Sequence, residues 1–323
     1  MKYTILLILL LLALVANILL GSSTLTITEV WQTITGELND PVLREIVFHY
    51  RLPKAISALI CGSALGLSGL LMQTLFRNPL AGPDVLGVSA GATLGVALLT
   101  MGGVSTFITI QVGAPILAAI AGALLVMMLV LWVAVRVPHV TTLLIVGLMM
   151  GYFVGSAVSI LQSSAHPDTL KLFTTWTFGS LSSITEEQLL ALALISIPCL
   201  IPAFLLSSRM DLLQLGDNQA TLLGVPVRRT RFLMILIASI LTGAVTATAG
   251  PIAFIGVTMP HIARSLTHSP THRTLMPMTC LLGSLLLLLC NLISELPTRP
   301  LPLNAVTACF GAPLLVYIIL RRQ

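Results

Sequence analysis

Charge is the scarcest feature of this sequence. Only 8% of its 323 residues are Asp, Glu, Lys or Arg, whereas 56% are hydrophobic. A soluble protein carries roughly a quarter charged residues, and a soluble core could not absorb this much apolar surface. The mean hydropathy of +1.03 leads to the same conclusion. The composition therefore excludes a soluble globular enzyme or binding module and predicts an all-α protein that crosses the membrane many times.

The sequence also lacks the motifs that mark nucleotide-binding and hydrolytic sites. It contains no Walker A segment, no G-x-S-x-G and no H-E-x-x-H. Its five cysteines form no C-x-x-C pair and fall in apolar runs, which is typical of small buried side chains. Its six histidines lie near the ends of these runs or in loops, which favours an interfacial role over metal ligation. We therefore predict no catalytic, cofactor or metal site, and an intramembrane enzyme is the weakest hypothesis.

About ten apolar runs are bounded by polar turns, and we interpret each as a membrane span. The predicted spans are residues 4–21, 54–76, 85–101, 111–135, 140–163, 188–207, 232–250, 251–265, 275–294 and 303–320. The first run is followed by no A-x-A cleavage site, which favours a retained span over a signal peptide. We predict that residues 1–323 form a single transmembrane domain.

The few charges are distributed unevenly between the predicted loops. With the N-terminus inside, most of the sixteen Lys and Arg residues fall in inner loops and most of the eleven acidic residues in outer loops. This bias is the topology signal of a cytoplasmic N-terminus and, after ten spans, a cytoplasmic C-terminus. It also explains the basic net charge without any nucleic-acid partner.

No Asp, Glu, Lys or Arg lies at the middle of a predicted span. A secondary carrier driven by an ion gradient usually needs such a group as its coupling site, so the sequence argues against that alternative. A transporter without its own energy source must receive energy from a partner. The inner segment 208–231 is where a partner could act, because its apolar residues form two short amphipathic pieces around Gly216-Asp217. The alternative interpretation of this segment is a linker that lies on the membrane.

Two outer segments are longer than simple connections. Segment 22–50 contains Trp31 and is predicted to include an interfacial helix from Pro41 to Tyr50, and segment 164–187 is long enough to fold over the mouth of a pore. Within the spans, the glycine spacing of residues 62–69 returns at residues 243–250. These stretches lie five spans apart and so cross the membrane in opposite directions, which predicts an inverted repeat of spans 2–5 and 7–10.

Five motifs follow one another along nearly the whole chain. They are Arg51-Leu-Pro, Phe76-Arg-Asn-Pro-Leu-Ala81 with Leu86-Gly-Val-Ser-Ala-Gly91, Leu215-Gly-Asp with Ala220 and Leu223-Gly224, Gly250-Pro-Ile-Ala-Phe-Ile-Gly-Val-Thr-Met-Pro-His-Ile-Ala-Arg264, and Pro302-Leu-Asn-Ala-Val-Thr with Gly311-Ala-Pro313. In this order they make the chain resemble the permease family of ABC importers for iron-siderophores, haem and vitamin B12.

The resemblance implies a subunit of ten spans that pairs with a second copy of itself around a pore in the bacterial cytoplasmic (inner) membrane. It also implies two cytoplasmic ATPase subunits, which use ATP and Mg so that this chain needs no cofactor, and a periplasmic or lipid-anchored binding protein that delivers the chelate. A permease for a metal ion such as zinc or manganese is the closest alternative. The lack of His, Asp and Glu ligands at depth argues against it.

The resemblance also implies roles for individual residues. ATPase coupling is assigned to Leu212, Leu213, Leu215, Gly216, Asp217, Ala220, Leu223, Gly224 and Arg228; binding-protein docking to Arg51, Lys54 and Arg299; and the cytoplasmic gate to Thr141, Thr142, Asn78 and Leu80. For the three cations, lipid-headgroup contact or local pairing with Glu45 or Glu295 stays open. The two threonines are also typical of a helix start.

A pore for a large and mostly neutral chelate needs apolar and small polar walls. The residues that could supply them are Met149, Tyr152, Ser156, Ser159 and Gln162. Packing explains a methionine at this position equally well. Such walls would suit a siderophore, haem or a corrinoid, so the sequence leaves the chelate open.

Overall fold

The fold is helical throughout the part of the chain that the structure, a computed structural model, describes. The described residues are 2–21, 25–37, 40–102, 114–137, 140–182, 184–297 and 300–321. The α-helices are α1 (Lys2–Leu19), α2 (Ile27–Thr35), α3 (Pro41–Glu45), α4 (Leu52–Phe76), α5 (Val88–Met101), α6 (Ala114–Arg136), α7 (Val140–Ser163), α8 (Pro167–Thr177), α9 (Glu186–Leu205), α10 (Ser207–Gln214), α11 (Asp217–Leu222), α12 (Val227–Ala249), α13 (Ile255–Thr267), α14 (His272–Glu295) and α15 (Leu303–Arg321). A π-helical turn, Ile46–Arg51, joins α3 to α4, and a 3-10 turn, Pro83–Leu86, precedes α5.

Each of the ten predicted spans coincides with a helix, so the prediction of an all-α polytopic protein is confirmed. The start of the fourth predicted span, at residue 111, lies outside the described residues. Seven described helices are long and apolar enough to cross a membrane. Two further apolar helices, α5 and the Leu303–Val316 part of α15, are shorter. With 14 and 13 residues, α5 and α13 are about half as long as α4 and α12.

Helix α4 is the centre of the bundle and is buried along most of its length. It packs most extensively against α14, where Gly62 meets Gly283 so closely that a Cβ on Gly62 would lie 2.3 Å from the Gly283 carbonyl oxygen. Farther along α4, a Cβ on Gly69 would lie 1.7 Å from the carbonyl oxygen of Gly256 in α13. Without side chains between them, helix backbones come into van der Waals contact, which is how helices associate in lipid.

The two halves of the chain repeat one arrangement in opposite directions. In each half a long helix, α4 or α12, ends at a left-handed residue, Arg77 (φ 47°) or Gly250 (φ 76°), and is followed by an extended segment and a short helix. The long helices are antiparallel, because Asp217 pairs with Arg77 at the end of α4 and with Arg231 at the start of α12. This arrangement is the inverted repeat that the sequence predicted.

The glycine echo that suggested the repeat does not mark equivalent positions. Gly69 lies inside α4, whereas Gly250 follows the last residue of α12. The equivalence lies instead in the extended segments, which lead into helices that begin at mid-depth. The packing of Gly256 against Leu65 and Gly69 puts the start of α13 beside the second half of α4, several residues before its end. Extended backbone at this depth is tolerated because protein surrounds it and satisfies its polar groups.

The interfacial helix predicted over Pro41–Tyr50 is instead continuous with α4 through the π-helical turn. The amphipathic helix of this outer segment is α2, which exposes Ile27, Trp31 and Ile34 along one side. A capping box starts α2: Glu29 and Thr26 bond reciprocally, and these bonds hold the pKa of Glu29 below its usual value. The backbone N–H of Leu25 donates to Leu19 O (3.1 Å), so α2 begins level with the end of α1.

Candidate coupling site and pore

The predicted coupling segment folds into two short helices, α10 and α11. They meet at Gly216, whose φ of 112° suits only glycine at this turn. The side of the pair that faces the helix bundle packs against it through buried Met210, Leu213 and Ala220. The other side is exposed and carries both polar and apolar residues.

Three leucines are the large apolar residues exposed on the coupling helices, among polar neighbours such as Asn218 and Gln219. Leu215 is 54% exposed, Leu222 88% and Leu223 58%. Three large apolar side chains so close together form a patch of the kind that binds a partner or lipid. The sequence analysis assigned Leu215 and Leu223 to coupling but not Leu222, which is the most exposed of the three.

The other residues predicted for coupling surround this patch. Leu212 is partly buried against the core, Gly224 is exposed with a φ of 83°, and Arg228 is exposed in the first turn of α12. Asp217 accepts hydrogen bonds from Arg77 (2.7 Å) and Arg231 (2.8 Å). The segment is therefore bound to the C-terminal end of α4 and the N-terminal end of α12.

A second polar link, which the sequence analysis did not find, joins α10 to the bundle. The carboxylate of Asp211 accepts hydrogen bonds from the backbone N–H (2.8 Å) and the Nδ1–H (2.6 Å) of His272. The other ring nitrogen of His272 lies 2.8 Å from the hydroxyl of Thr74 in α4. The imidazole of His272 is completely buried. One side chain thus contacts α10 and α4 from the first residue of α14.

The predicted gate residues lie at the start of α7 and in the extended segment after α4. Thr141 and Thr142 are exposed in the first turn of α7. Asn78 caps the turn after α4, because its Oδ1 accepts the N–H of Leu80 (2.9 Å). The side chain of Leu80 is half exposed, and the preceding carbonyl, of Pro79, lies 2.8 Å from His261 Nε2.

The residues predicted to line a pore share one exposed face of α7. Met149, Tyr152, Ser156 and Ser159 are exposed and follow one another at helical spacing, and Gln162 at the end of the helix is half-buried. Both serine hydroxyls donate to carbonyls of their own helix, at 2.9 and 3.0 Å. This face therefore presents apolar and internally satisfied polar groups and no charge.

Two of the three cations predicted for docking are buried and paired within the chain. Arg51 donates to the carbonyls of Ile18 (2.6 Å) and Leu19 (2.9 Å) at the end of α1. Lys54 forms an ion pair with Glu295, whose other oxygen accepts a hydrogen bond from Ser182 (2.6 Å).

This arrangement is the local pairing that the sequence analysis left open. The partner of Lys54 is Glu295 and not Glu45, which lies 3.7 Å from His49. Both cations line an outer depression of about 630 Å³ together with the Glu295 carboxylate. Arg299, the third predicted cation, lies outside the described residues.

Asp84 corrects the expectation that no ionisable residue lies at mid-depth. The sequence placed it in an inner loop, but the extended segment after α4 turns back between the helices, and Gly87 packs against Gly151 halfway along α7. The Asp84 carboxylate accepts a hydrogen bond from the Ser89 hydroxyl (2.6 Å), which itself lies 3.3 Å from Thr246 Oγ1. Its position at the N-terminus of α5 also lets the helix dipole stabilise the negative charge.

These features define a class of protein: a polytopic membrane transport protein with helices that begin inside the membrane, an uncharged exposed helix face and a pair of short helices for a partner. The sequence matches the FecCD transport family over residues 7–321, and the chain belongs to this family. The resemblance on which the sequence analysis relied is thereby confirmed.

Two curated relatives and one solved structure are similar over almost the whole chain. The hemin transport system permease HmuU of Yersinia pestis is 33% identical over 322 residues, 98% of this chain and 95% of the relative. The ferric enterobactin transport system permease FepG of Escherichia coli is 36% identical over 309 residues, 94% of this chain and 90% of the relative. A metal-chelate type ABC transporter in an inward-facing conformation has a TM-score of 0.87 and 28% identity, and the match covers 98% of this chain and 97% of that one.

Proposed function

We propose that this chain is the permease subunit of an ATP-driven importer and forms, with a second copy of itself, the pore for an iron chelate or a cobalamin. The observation that carries the proposal is the apolar patch of Leu215, Leu222 and Leu223 on short helices bound to the inner ends of α4, α12 and α14. A subunit with no nucleotide motif needs such a surface to receive work from an ATPase.

The partners follow from this role. Two cytoplasmic ATPase subunits bind the coupling segments of the two permease copies and hydrolyse ATP there, and a periplasmic or lipid-anchored binding protein delivers the chelate on the opposite side. The protein lies in the cytoplasmic membrane with both termini in the cytoplasm, which the Lys and Arg bias supports. Residues 1–323 then act as one permease domain.

The path of the chelate runs along the uncharged face of α7. Met149, Tyr152 and Ser156 offer apolar and satisfied polar groups, which suit a cargo whose charge is enclosed by its chelator. Thr141 and Thr142, at the inner end of the same helix, form the cytoplasmic gate together with Asn78 and Leu80. The relatives named for hemin and ferric enterobactin support this class of cargo.

The binding protein docks over the outer depression that Arg51 and Lys54 line. Because both cations are paired inside the chain, their contribution is to hold the ends of α1, α4 and α14 in the shape that the partner recognises. Arg299 is then the residue through which a direct ion pair with the binding protein would form.

The proposal is tested with the complete importer in proteoliposomes. Ferric enterobactin, hemin and vitamin B12 are offered separately, with the matching binding protein outside and ATP inside. Accumulation of one of them that requires ATP and the ATPase subunits supports the proposal. Accumulation by the permease alone, or of none of the three, overturns it.

A carrier driven by an ion gradient is the second candidate, because the structure puts Asp84 at mid-depth, where such carriers keep their coupling group. The hydrogen bond from Ser89 and the N-terminus of α5 account for this carboxylate as a structural group. Asp84→Asn keeps the shape and the acceptor oxygen. Uptake that persists in D84N and resists a protonophore excludes the carrier, and uptake abolished by both would replace the ATP-driven proposal.

A further inference from the structure

Two polar links attach the coupling segment to the membrane helices, and they differ in burial. The Arg77 and Asp217 side chains are 45% and 40% exposed, whereas His272 is completely buried and Asp211 is 31% exposed. Water screens an exposed ion pair, which contributes little to holding two elements together. Hydrogen bonds to a charged group in a dry setting are stronger and more directional. The Asp211–His272 contact is therefore the firmer attachment.

The position of His272 connects three helices through one side chain. It is the first residue of α14, its Nδ1–H and backbone N–H both donate to Asp211 in α10, and its Nε2 contacts Thr74 in α4. Helices α4 and α14 are themselves in backbone contact at Gly62 and Gly283. A displacement of α10 is therefore passed to both α4 and α14 by one imidazole, and the bond from Arg77 to the Leu213 carbonyl links α10 to the end of α4 alone.

Arg77, at the end of α4, also donates a hydrogen bond to the Leu213 carbonyl of α10 (2.9 Å), and the apolar contacts of α10 with the bundle are less directional. Met210 and Leu213 are buried against apolar neighbours, and such contacts persist when helices slide by a fraction of an ångström. A hydrogen bond of 2.6 Å is lost over a similar displacement. Among the described residues, the hydrogen bonds that fix α10 to α14 in one place all involve His272.

We propose that His272 is the positioning residue of the coupling segment and transmits the movement of α10 to α4 and α14 through Asp211 and Thr74. The inference rests on the proposed function, since it names the residue by which ATP hydrolysis on a partner reaches the pore. His272 acts through other residues and contacts neither nucleotide nor chelate.

Two substitutions separate the two ends of the link. The amide of Gln reaches the position of Nε2, so His272→Gln keeps the contact with Thr74 and loses the side-chain bond to Asp211, while the backbone N–H of residue 272 still donates to Asp211. The shorter Asn reaches the position of Nδ1, so His272→Asn keeps Asp211 and loses Thr74. His268→Gln is the matched control, because His268 is exposed and its ring nitrogen lies 3.2 Å from the carbonyl of nearby Leu266.

The measurement is the number of ATP molecules hydrolysed per chelate imported by the complete importer in proteoliposomes, with ferric enterobactin, hemin and vitamin B12 as probes. We expect H272Q to raise this ratio by about tenfold, the factor that one lost hydrogen bond to a charged group produces. H272N, which keeps the side-chain bond to Asp211, raises it less, and H268Q leaves it unchanged. The yield and melting temperature of the assembled complex are measured in parallel.

Each outcome decides the inference. A ratio unchanged in H272Q, or a lower yield of complex whose remaining molecules are coupled normally, assigns His272 a purely structural role and overturns the inference alone. The single variants H272Q and D211A break the same contact. In the double variant H272Q/D211A, the ratio of ATP hydrolysed to chelate imported should therefore be no higher than in the more affected single variant; additive effects would contradict this. A wild-type importer without ATP-dependent uptake of any probe overturns the proposed function and the inference together.

Discussion

Truncation of Leu222 separates a docking role of the coupling helices from a role in lipid contact. Leu222 is 88% exposed, so nearly all of its side chain is available for burial by a partner, whereas Leu213 on the preceding helix is 4% exposed and already buried. Leu→Ala removes three carbon atoms at about 0.8 kcal/mol each, or about 2 kcal/mol in total. At 1.4 kcal/mol per factor of ten, L222A should weaken ATPase binding about 30-fold.

The assay is the Kd of the purified ATPase subunit for the permease in lipid nanodiscs, with the thermal unfolding of the permease measured on the same samples. L222A should change the Kd and leave the melting temperature unchanged. L213A should lower the stability by about 2 to 5 kcal/mol, because it opens a cavity in the folded chain. If L222A binds the ATPase as tightly as the wild type, the three leucines lie in lipid, and the segment is the membrane-lying linker that the sequence left as an alternative.

Three further predictions test the fold. Gly69→Leu should prevent folding, since even a Cβ there would lie 1.7 Å from a backbone oxygen, and the yield of monodisperse protein in detergent would show it; normal yield contradicts the packing. In a variant with Trp31 as its single tryptophan, lipids brominated near the headgroup should quench fluorescence strongly, and those brominated near the chain end weakly, because α2 starts level with the end of α1; equal quenching refutes this. Lys54→Met leaves the buried Glu295 carboxylate without its cation, whereas the double variant Lys54→Met, Glu295→Gln removes that carboxylate as well. The single variant should therefore lower the melting temperature more than the double variant, and equal losses refute the pairing.

The number and order of the membrane helices could be predicted because length and hydropathy are local properties. The same local information could not reveal where the chain turns back into the bundle. Those turns depend on partners far away in the sequence: Gln73 donates to the Val257 carbonyl, 184 residues away, and the N–H of Ala253 donates to the side chain of Asn304, 51 residues away. The half-length of α13 follows from these contacts, and the depth of Asp84 follows from the packing of Gly87 against Gly151; neither follows from any run of residues.

The candidate sites show the same division. The apolar pattern of 208–231 predicted the two coupling helices, because amphipathic spacing is visible in any short window. From the sequence, Arg51 and Lys54 can be recognised as cations near a span end. Their burial cannot be predicted, because Glu295, the partner of Lys54, lies 241 residues away. His272 was noted only as one of six histidines, because its partner Asp211 lies 61 residues away.

The presence of the Asp84 carboxylate at mid-depth does not conflict with a transporter that takes its energy from a partner ATPase. The surroundings of Asp84 explain why. Carriers use an intramembrane acid because its charge changes when an ion binds. The Asp84 carboxylate already accepts the Ser89 hydroxyl and lies at the N-terminus of α5. The inverted repeat puts helix α13 in the corresponding place with no acid at its start, where Asn304 instead accepts the Ala253 N–H. Each short helix, α5 or α13, thus has a polar side chain where the extended backbone before it ends. Beside α5 that side chain is the Asp84 carboxylate, and beside α13 it is the Asn304 amide.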